Sequence, residues 1–261
     1  MIKHIAIATF CVGAMLGECY ALDISTGYNN GSNSLYPAPP PYPANSGTND
    51  NYWVAVARAA AGAPVTSPSL PYVVDKHPAW ALAFPGSRWV GPMPNANSPP
   101  GTSHDPTKLS YTLFRKCFCI INTTKGVSLS FKVKSDDSIQ MWLNSQTNNI
   151  LPVTNNLWAS QTGVSRTINS GFRLGVNCIF ALVEDVGNAG GFNLQGNIAG
   201  PGLWPYVAYG VGASFKPCDC PAPTPQASGG KRAAEVDPTG EQVIKDIIAI
   251  AEKRAAPKLG R

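Results

Sequence analysis

A chain of 261 residues, 44% hydrophobic and only 13% charged, with 25 Gly and 24 Pro, has room for one large domain or two small ones. Low charge with so many turn-formers suits a loop-rich β protein and argues against a helical or disordered one. The net charge of +5 is a modest excess of Lys and Arg scattered along the chain, which excludes the concentrated basic stripe of a nucleic-acid binder.

The N-terminus reads MIKHIAIATFCVGAMLGECYALD. Lys3 and His4 give a short cationic start, and Ile5 to Gly17 form an apolar core of signal-peptide length. Ala21 stands at the cleavage position, so residues 1–21 are expected to be removed. The apolar run is too short for a membrane span and no other segment is apolar enough for one, so the mature chain is expected to be secreted or held at the cell surface.

From Leu22 to about Pro43 the chain is rich in turn residues, and its proline run is expected to be extended and solvated. NYWVAVARA (51–59) is the first strand, headed by Trp53. Residues 62–110 are dense in Pro, Gly and Ser yet contain Trp80, Phe84, Trp89 and Val90; such a loop is expected to fold back over a core. LSYTLFRKCFCII (109–121) reads as a strand. VSLSFKVKS (127–135) places Leu129, Phe131 and Val133 on one face and Ser130, Lys132 and Lys134 on the other, and SIQMWLN (138–144) turns Ile139, Met141 and Leu143 inward. GVNCIFALVED (175–185) is nearly continuous in apolar residues, as a central buried strand should be. GGFNLQGNI (190–198) alternates again, and WPYVAYGVGASF (204–215) gives a closing strand. Strands at this spacing predict an all-β fold, an antiparallel sandwich or jelly roll over residues 22–216.

Composition changes at Pro217. Residues 217–236 form a Pro/Ala/Gly linker, and residues 237–261 hold an amphipathic helix with a basic tail. Thr239 and Gln242 have capping-box spacing, and Val243, Ile244, Ile247, Ile248 and Ala251 line one helical face. A helix this short is marginal alone, so it must dock on its own sandwich, on another copy or on a partner.

Removing residues 1–21 takes away Cys11 and Cys19 and leaves Cys117, Cys119, Cys178, Cys218 and Cys220. An exported chain makes disulfides the expectation, with the CFC strand tied to the CDC segment and one cysteine over; four thiolates on zinc are the alternative.

The chain lacks the marks of familiar catalytic sites. His77 and His104, the histidines beyond the leader, lie in proline-rich sequence, and no His-Glu-x-x-His, Gly-x-Ser-x-Gly, glycine-rich phosphate loop or haem motif is present. Asp136 or Asp137 with Glu184 or Asp185 is the one carboxylate pairing a hydrolase might use, and nothing in the sequence sets the separation it needs. What remains is binding. Asp136-Asp137, in SFKVKSDDSIQMWLN, is either the polar turn of a hairpin or a hard, oxygen-rich site suited to calcium. Trp142, Asn144, Asn188 and Asn193 are the candidate ligand-binding residues around it, and Trp158, Trp89 and Trp204 are further candidates for stacking on sugars.

FKVKSDDSIQMWLN resembles the strand–Ser-Asp-Asp–strand signature of the protective-antigen-type β-sandwich of yeast flocculins and bacterial glycosidases. The resemblance implies two aspartates joined by a cis peptide that hold a calcium ion in contact with sugar, and it carries over to Asp136 and Asp137; Ser138 stands where that family usually has Gly. Over about residues 22–215, the segments DISTGYNNGSNSLYP, DNYWVAVA, SRWVGP, YTLFRKCF, SDDSIQMWLN and GVNCIFALVEDVGNAGGFNLQGNI are similar, in order, to secreted PEP-CTERM-type bacterial β-sandwich proteins. The terminal Pro-Glu-Pro and membrane helix of those proteins are replaced here by the linker and helix.

Three functions follow as expectations. The first is a secreted non-catalytic sandwich that binds carbohydrate or cell-surface matrix with calcium. The second is an assembly protein that self-associates through its disulfides and C-terminal helix. The third is a precursor cut at the dibasic pairs Lys231-Arg232 and Lys253-Arg254.

Overall fold

The computed structural model describes residues 19–27, 49–50, 53–60, 63–65, 68–74, 77–93, 110–186, 190–203 and 240–255. These form an antiparallel β-sandwich with one helix laid on it. The strands are β1 (Cys19–Asp23), β2 (Val54–Ala60), β3 (Ala63–Val65), β4 (Tyr72–Val73), β5 (Val90–Gly91), β6 (Ser110–Ile120), β7 (Ser128–Asp136), β8 (Ser138–Leu143), β9 (Asn149–Asn155), β10 (Val164–Ile168), β11 (Gly175–Asp185) and β12 (Gly191–Pro201), followed by helix α1 (Glu241–Ala255). The first sheet runs β10-β7-β12-β5-β4, with β1 also on β12; the second runs β3-β2-β6-β11-β8-β9.

The predicted alternation builds the space between the sheets. Leu129, Phe131 and Val133 of β7 and Phe192, Leu194 and Ile198 of β12 face Phe114, Phe118, Ile139, Met141, Ile179, Ala181 and Val183 of the second sheet. Each large apolar side chain hidden there contributes about 1.5–3 kcal/mol. β11 is central, between β6 and β8, which is why its sequence shows no polar face. Its outward residues Phe180 and Leu182 are covered too, together with Val54, Val56, Leu113 and Trp142, by Ile247, Ile248 and Ala251 of α1. Of the docking partners the sequence left open, the helix takes its own sandwich.

Residues 77–93 lie over the outer face of the first sheet. Phe84, Trp80 and Trp89 are buried, as the aromatic-rich loop predicted. This covering changes the expected place of Lys134. It does point away from the core, but it is 1% exposed, because its ammonium donates to the Leu82 carbonyl at 2.7 Å and lies 4.1 Å over the Phe84 ring. Of the three residues expected on the polar face of β7, Ser130 and Lys132 alone are open to solvent.

Cys117 and Cys178 stand directly opposite each other on β6 and β11 and form a disulfide. Register brings Cys178 against Cys117, and the expected tie between CFC and CDC bears on Cys119. Cys119 is disulfide-bonded as well. Cys218, Cys220, the 204–215 strand, the linker and Thr239 lie outside the described residues. The expected cleavage bond after Ala21 falls within β1, but Leu22 and Ile24, which enter the core, both follow it. Among the described residues no helix is long and apolar enough to cross a membrane.

Candidate functional site

Asp136 ends β7 and Ser138 begins β8, but these strands are not a hairpin: β7 belongs to the first sheet and β8 to the second. Asp136-Asp137 is thus a crossing between sheets at one end of the sandwich. β11 and β12 make the same change of sheet at the same end, and the two crossings are joined by hydrogen bonds. Asp137 N–H donates to the Glu184 carbonyl at 2.9 Å, the Asp137 carboxylate accepts from Val186 N–H at 2.8 Å, and Asp136 pairs with Gly191. The Asp136–Asp137 peptide bond is cis.

The surroundings of Asp136 crowd negative charge into a half-buried place. Trp80 Nε1 donates to its Oδ2 at 2.7 Å. Gly191 makes that approach possible, since a Cβ there would sit 2.8 Å from the Val90 carbonyl and 3.1 Å from the Trp80 ring. Burial, a hydrogen bond with the Asp137 carboxyl, and the charges of Asp137 and Asp185 push Asp136 up to about 8, against the opposing pull of the Trp80 bond.

Glu184 and Asp185, the other acids the sequence offered, separate onto opposite faces of β11. Glu184 turns outward, accepts from Ser138 Oγ at 2.8 Å and pairs with Arg254 of α1 at 3.0 Å; Arg254 also reaches the Gln140 side chain. Asp185 stays at the crossing, where Ser110 Oγ approaches its Oδ2 at 3.4 Å. Among the described residues no three His, Cys, Asp or Glu side chains converge closely enough to hold a metal ion.

An aromatic cluster adjoins the pair. Trp80 stacks on Trp89 at 4.3 Å, His77 lies 6.0 Å from Trp80, and Tyr72 and Trp158 pack against the same cluster half-buried. Trp80 is the participant missed as a site residue; its place in a loop that had to fold back over a core was the available signal.

The other sequence candidates are placed elsewhere or held fast. Trp142 is 1% exposed beneath α1. Asn144 lies past the far end of β8, roughly 20 Å along the strand from Asp137, where it bonds to Asn177 and to Cys178 N–H. Asn193 is fully buried and ties the covering loop to the sheet through Phe84 N–H and Ser87 Oγ. Trp89 is buried inside its stack; Asn188 and Trp204 lie outside the described residues. Of the candidates, Trp158 alone is on the same end as the carboxylate pair and partly open.

Comparison with family models and with curated proteins gives no match. Among solved structures, an aspartate-to-alanine variant of a family 29 carbohydrate-binding module is similar at 12% identity and a TM-score of 0.27, over 69% of this chain and 90% of that one.

Proposed function

We propose that the chain is a secreted, non-catalytic β-sandwich that binds carbohydrate or extracellular matrix material at the end where Asp136-Asp137 crosses between the sheets. The observation that carries this reading is the pair itself: two adjacent carboxyls at one end of the sandwich, fixed by Trp80 and by Val186 N–H, beside half-open Tyr72, His77 and Trp158. Each aspartate gives one oxygen to an N–H of the fold, Asp136 to Trp80 and Asp137 to Val186.

The donors are of the kind calcium takes, hard oxygens on a rigid turn, although two carboxylates are well short of the about six to eight oxygens it needs. In this reading a calcium ion takes the place of the proton on Asp136, and hydroxyl oxygens of the sugar fill part of its shell. Trp158 and Tyr72 supply flat apolar surface against which a sugar ring rests. The leader-like start and the Cys117–Cys178 disulfide support export. The apolar stripe of α1 is covered by its own sheet, and Lys253-Arg254 is helical with Arg254 held by Glu184, so neither feature favours the assembly or precursor readings.

A glycan array probed in calcium and again in chelator tests the proposal. Expected is retention of at least one glycan class that is lost in chelator and lost in Asp136→Asn and in Trp158→Ala. Equal retention by the parent and both variants would remove this end of the sandwich from the account.

A further inference from the structure

The crossing at Asp136-Asp137 is built on the end of β11, and that end is held in turn by the C-terminal helix. Asp137 is fixed from several sides. Its N–H donates to the Glu184 carbonyl at 2.9 Å, its carboxylate accepts from Val186 N–H at 2.8 Å, and its carbonyl accepts from Asn156 N–H at 2.8 Å. Two of these partners belong to the segment 184–186, so a shift of Glu184 is carried to Asp137. Ser138 adds another tie: it stands directly opposite Glu184 in the β8–β11 ladder, and its hydroxyl donates to Glu184 Oε2 at 2.8 Å.

Glu184 points to the outer face of the second sheet with only 8% of its side chain exposed, and a carboxylate taken out of water there needs a cation. Among the described residues that cation is Arg254, whose Nη1 meets Oε1 at 3.0 Å. Its Nη2 bonds to the side chain of Gln140, two residues beyond Ser138 on the same face of β8. One guanidinium therefore spans β8 and β11, the strands by which the chain enters the second sheet from β7 and leaves it for β12.

Arg254 is in place only while α1 is seated. It lies in the last turn of that helix, where a cation suits the helix dipole, and it turns inward while Glu252 and Lys253 are exposed. A short helix is marginal away from its sheet, and such an element opens more readily than a packed ladder. Opening of α1 takes the cation from Glu184, and the carboxylate left behind is relieved by turning to water, which releases Ser138.

We infer that Arg254, acting through Glu184 and Ser138, is a positioning residue for the Asp136–Asp137 site, so that seating of α1 and occupation of the site strengthen each other. The inference rests on the reading of that crossing as the ligand site.

Residue-resolved amide exchange on the full chain, in chelator, tests the positioning. The amides of Asp137 and Val186 are expected to exchange about tenfold faster in Arg254→Met and in Ser138→Ala than in the parent, with Phe131 and Val133 of β7 unchanged. Arg254→Lys keeps the charge without the two-armed grip, and should fall between the parent and Arg254→Met. A general loss of stability would instead speed the β7 amides as much as those of the crossing. Parent-like exchange at Asp137 and Val186 in either variant, or equal acceleration in β7, would overturn the inference. Calcium with a glycan retained on the array should also slow exchange at Ile247 and Ile248 more in the parent than in Arg254→Met; equal slowing in both would overturn it too. The measurement in chelator decides the positioning whether or not calcium binds, whereas a parent that binds neither calcium nor glycan removes the ligand reading alone.

Discussion

Replacing Asp136 by Asn keeps an acceptor for Trp80 Nε1 and removes the titrating carboxyl at this place. In the folded chain Asp136 is pushed from 3.8 up to about 8, first by burial and then by Asp137 and Asp185. Between those values the native state holds a proton that the unfolded chain has released. Stability therefore declines as pH rises through this window and levels off above about pH 8. At about 1.4 kcal/mol per pH unit the interval sets a ceiling of about 6 kcal/mol. Asp136 is still partly in water, so the expected loss between about pH 5 and about pH 8.5 is about 2–3 kcal/mol. Urea unfolding in chelator at the two pH values, followed by tryptophan fluorescence, measures it. The parent should lose that amount relative to Asp136→Asn, and added calcium at the upper pH should return it to the parent alone. Identical pH dependence in parent and variant would refute the reasoning.

Other parts of the fold give further expectations. The Cys117–Cys178 disulfide closes a separation of 61 residues, so the Cys117→Ser/Cys178→Ser variant should lose about 4 kcal/mol in urea unfolding by chain entropy. Ile247 is fully buried between α1 and the second sheet, and Ile247→Ala should cost about 2–4 kcal/mol; a parent-like melting curve would mean that the helix does not rest there. Arg254→Met leaves the buried Glu184 carboxylate without its cation and should cost about 1–2 kcal/mol, recovered in large part when Glu184→Gln is added.

Where a side chain's face follows from the period of its own strand, the sequence was enough. The inward set Leu129, Phe131, Val133, Ile139, Met141 and Leu143, and the central position of β11, were legible because burial on one face or both leaves a period-2 or continuous apolar signal. The docking stripe of α1 was legible for the same reason at helical period. β9 and β10 were not: their burial is patchy because each is an edge strand with exposed polar residues. Asp136-Asp137 was singled out as a candidate, but its setting was hidden. Two strands separated by one residue read as a hairpin, and nothing local says that they enter different sheets. The Trp80 contact joins residues 56 positions apart, and the outward face of Lys134 did not announce the loop that covers it. Asn144 and Asn193 looked like ligand groups by residue type, yet tertiary hydrogen bonds hold them in place.

The claim on which the rest depends is that the crossing at Asp136-Asp137 is a binding site and not only a way to pass from one sheet to the other. Calcium titrated calorimetrically into the full chain, with and without a glycan retained on the array, tests it most directly. The account predicts one calcium site that tightens when glycan is present and disappears in Asp136→Asn/Asp137→Asn. Calcium binding of equal strength in the parent and the double variant, or none in the parent even with glycan present, would contradict it.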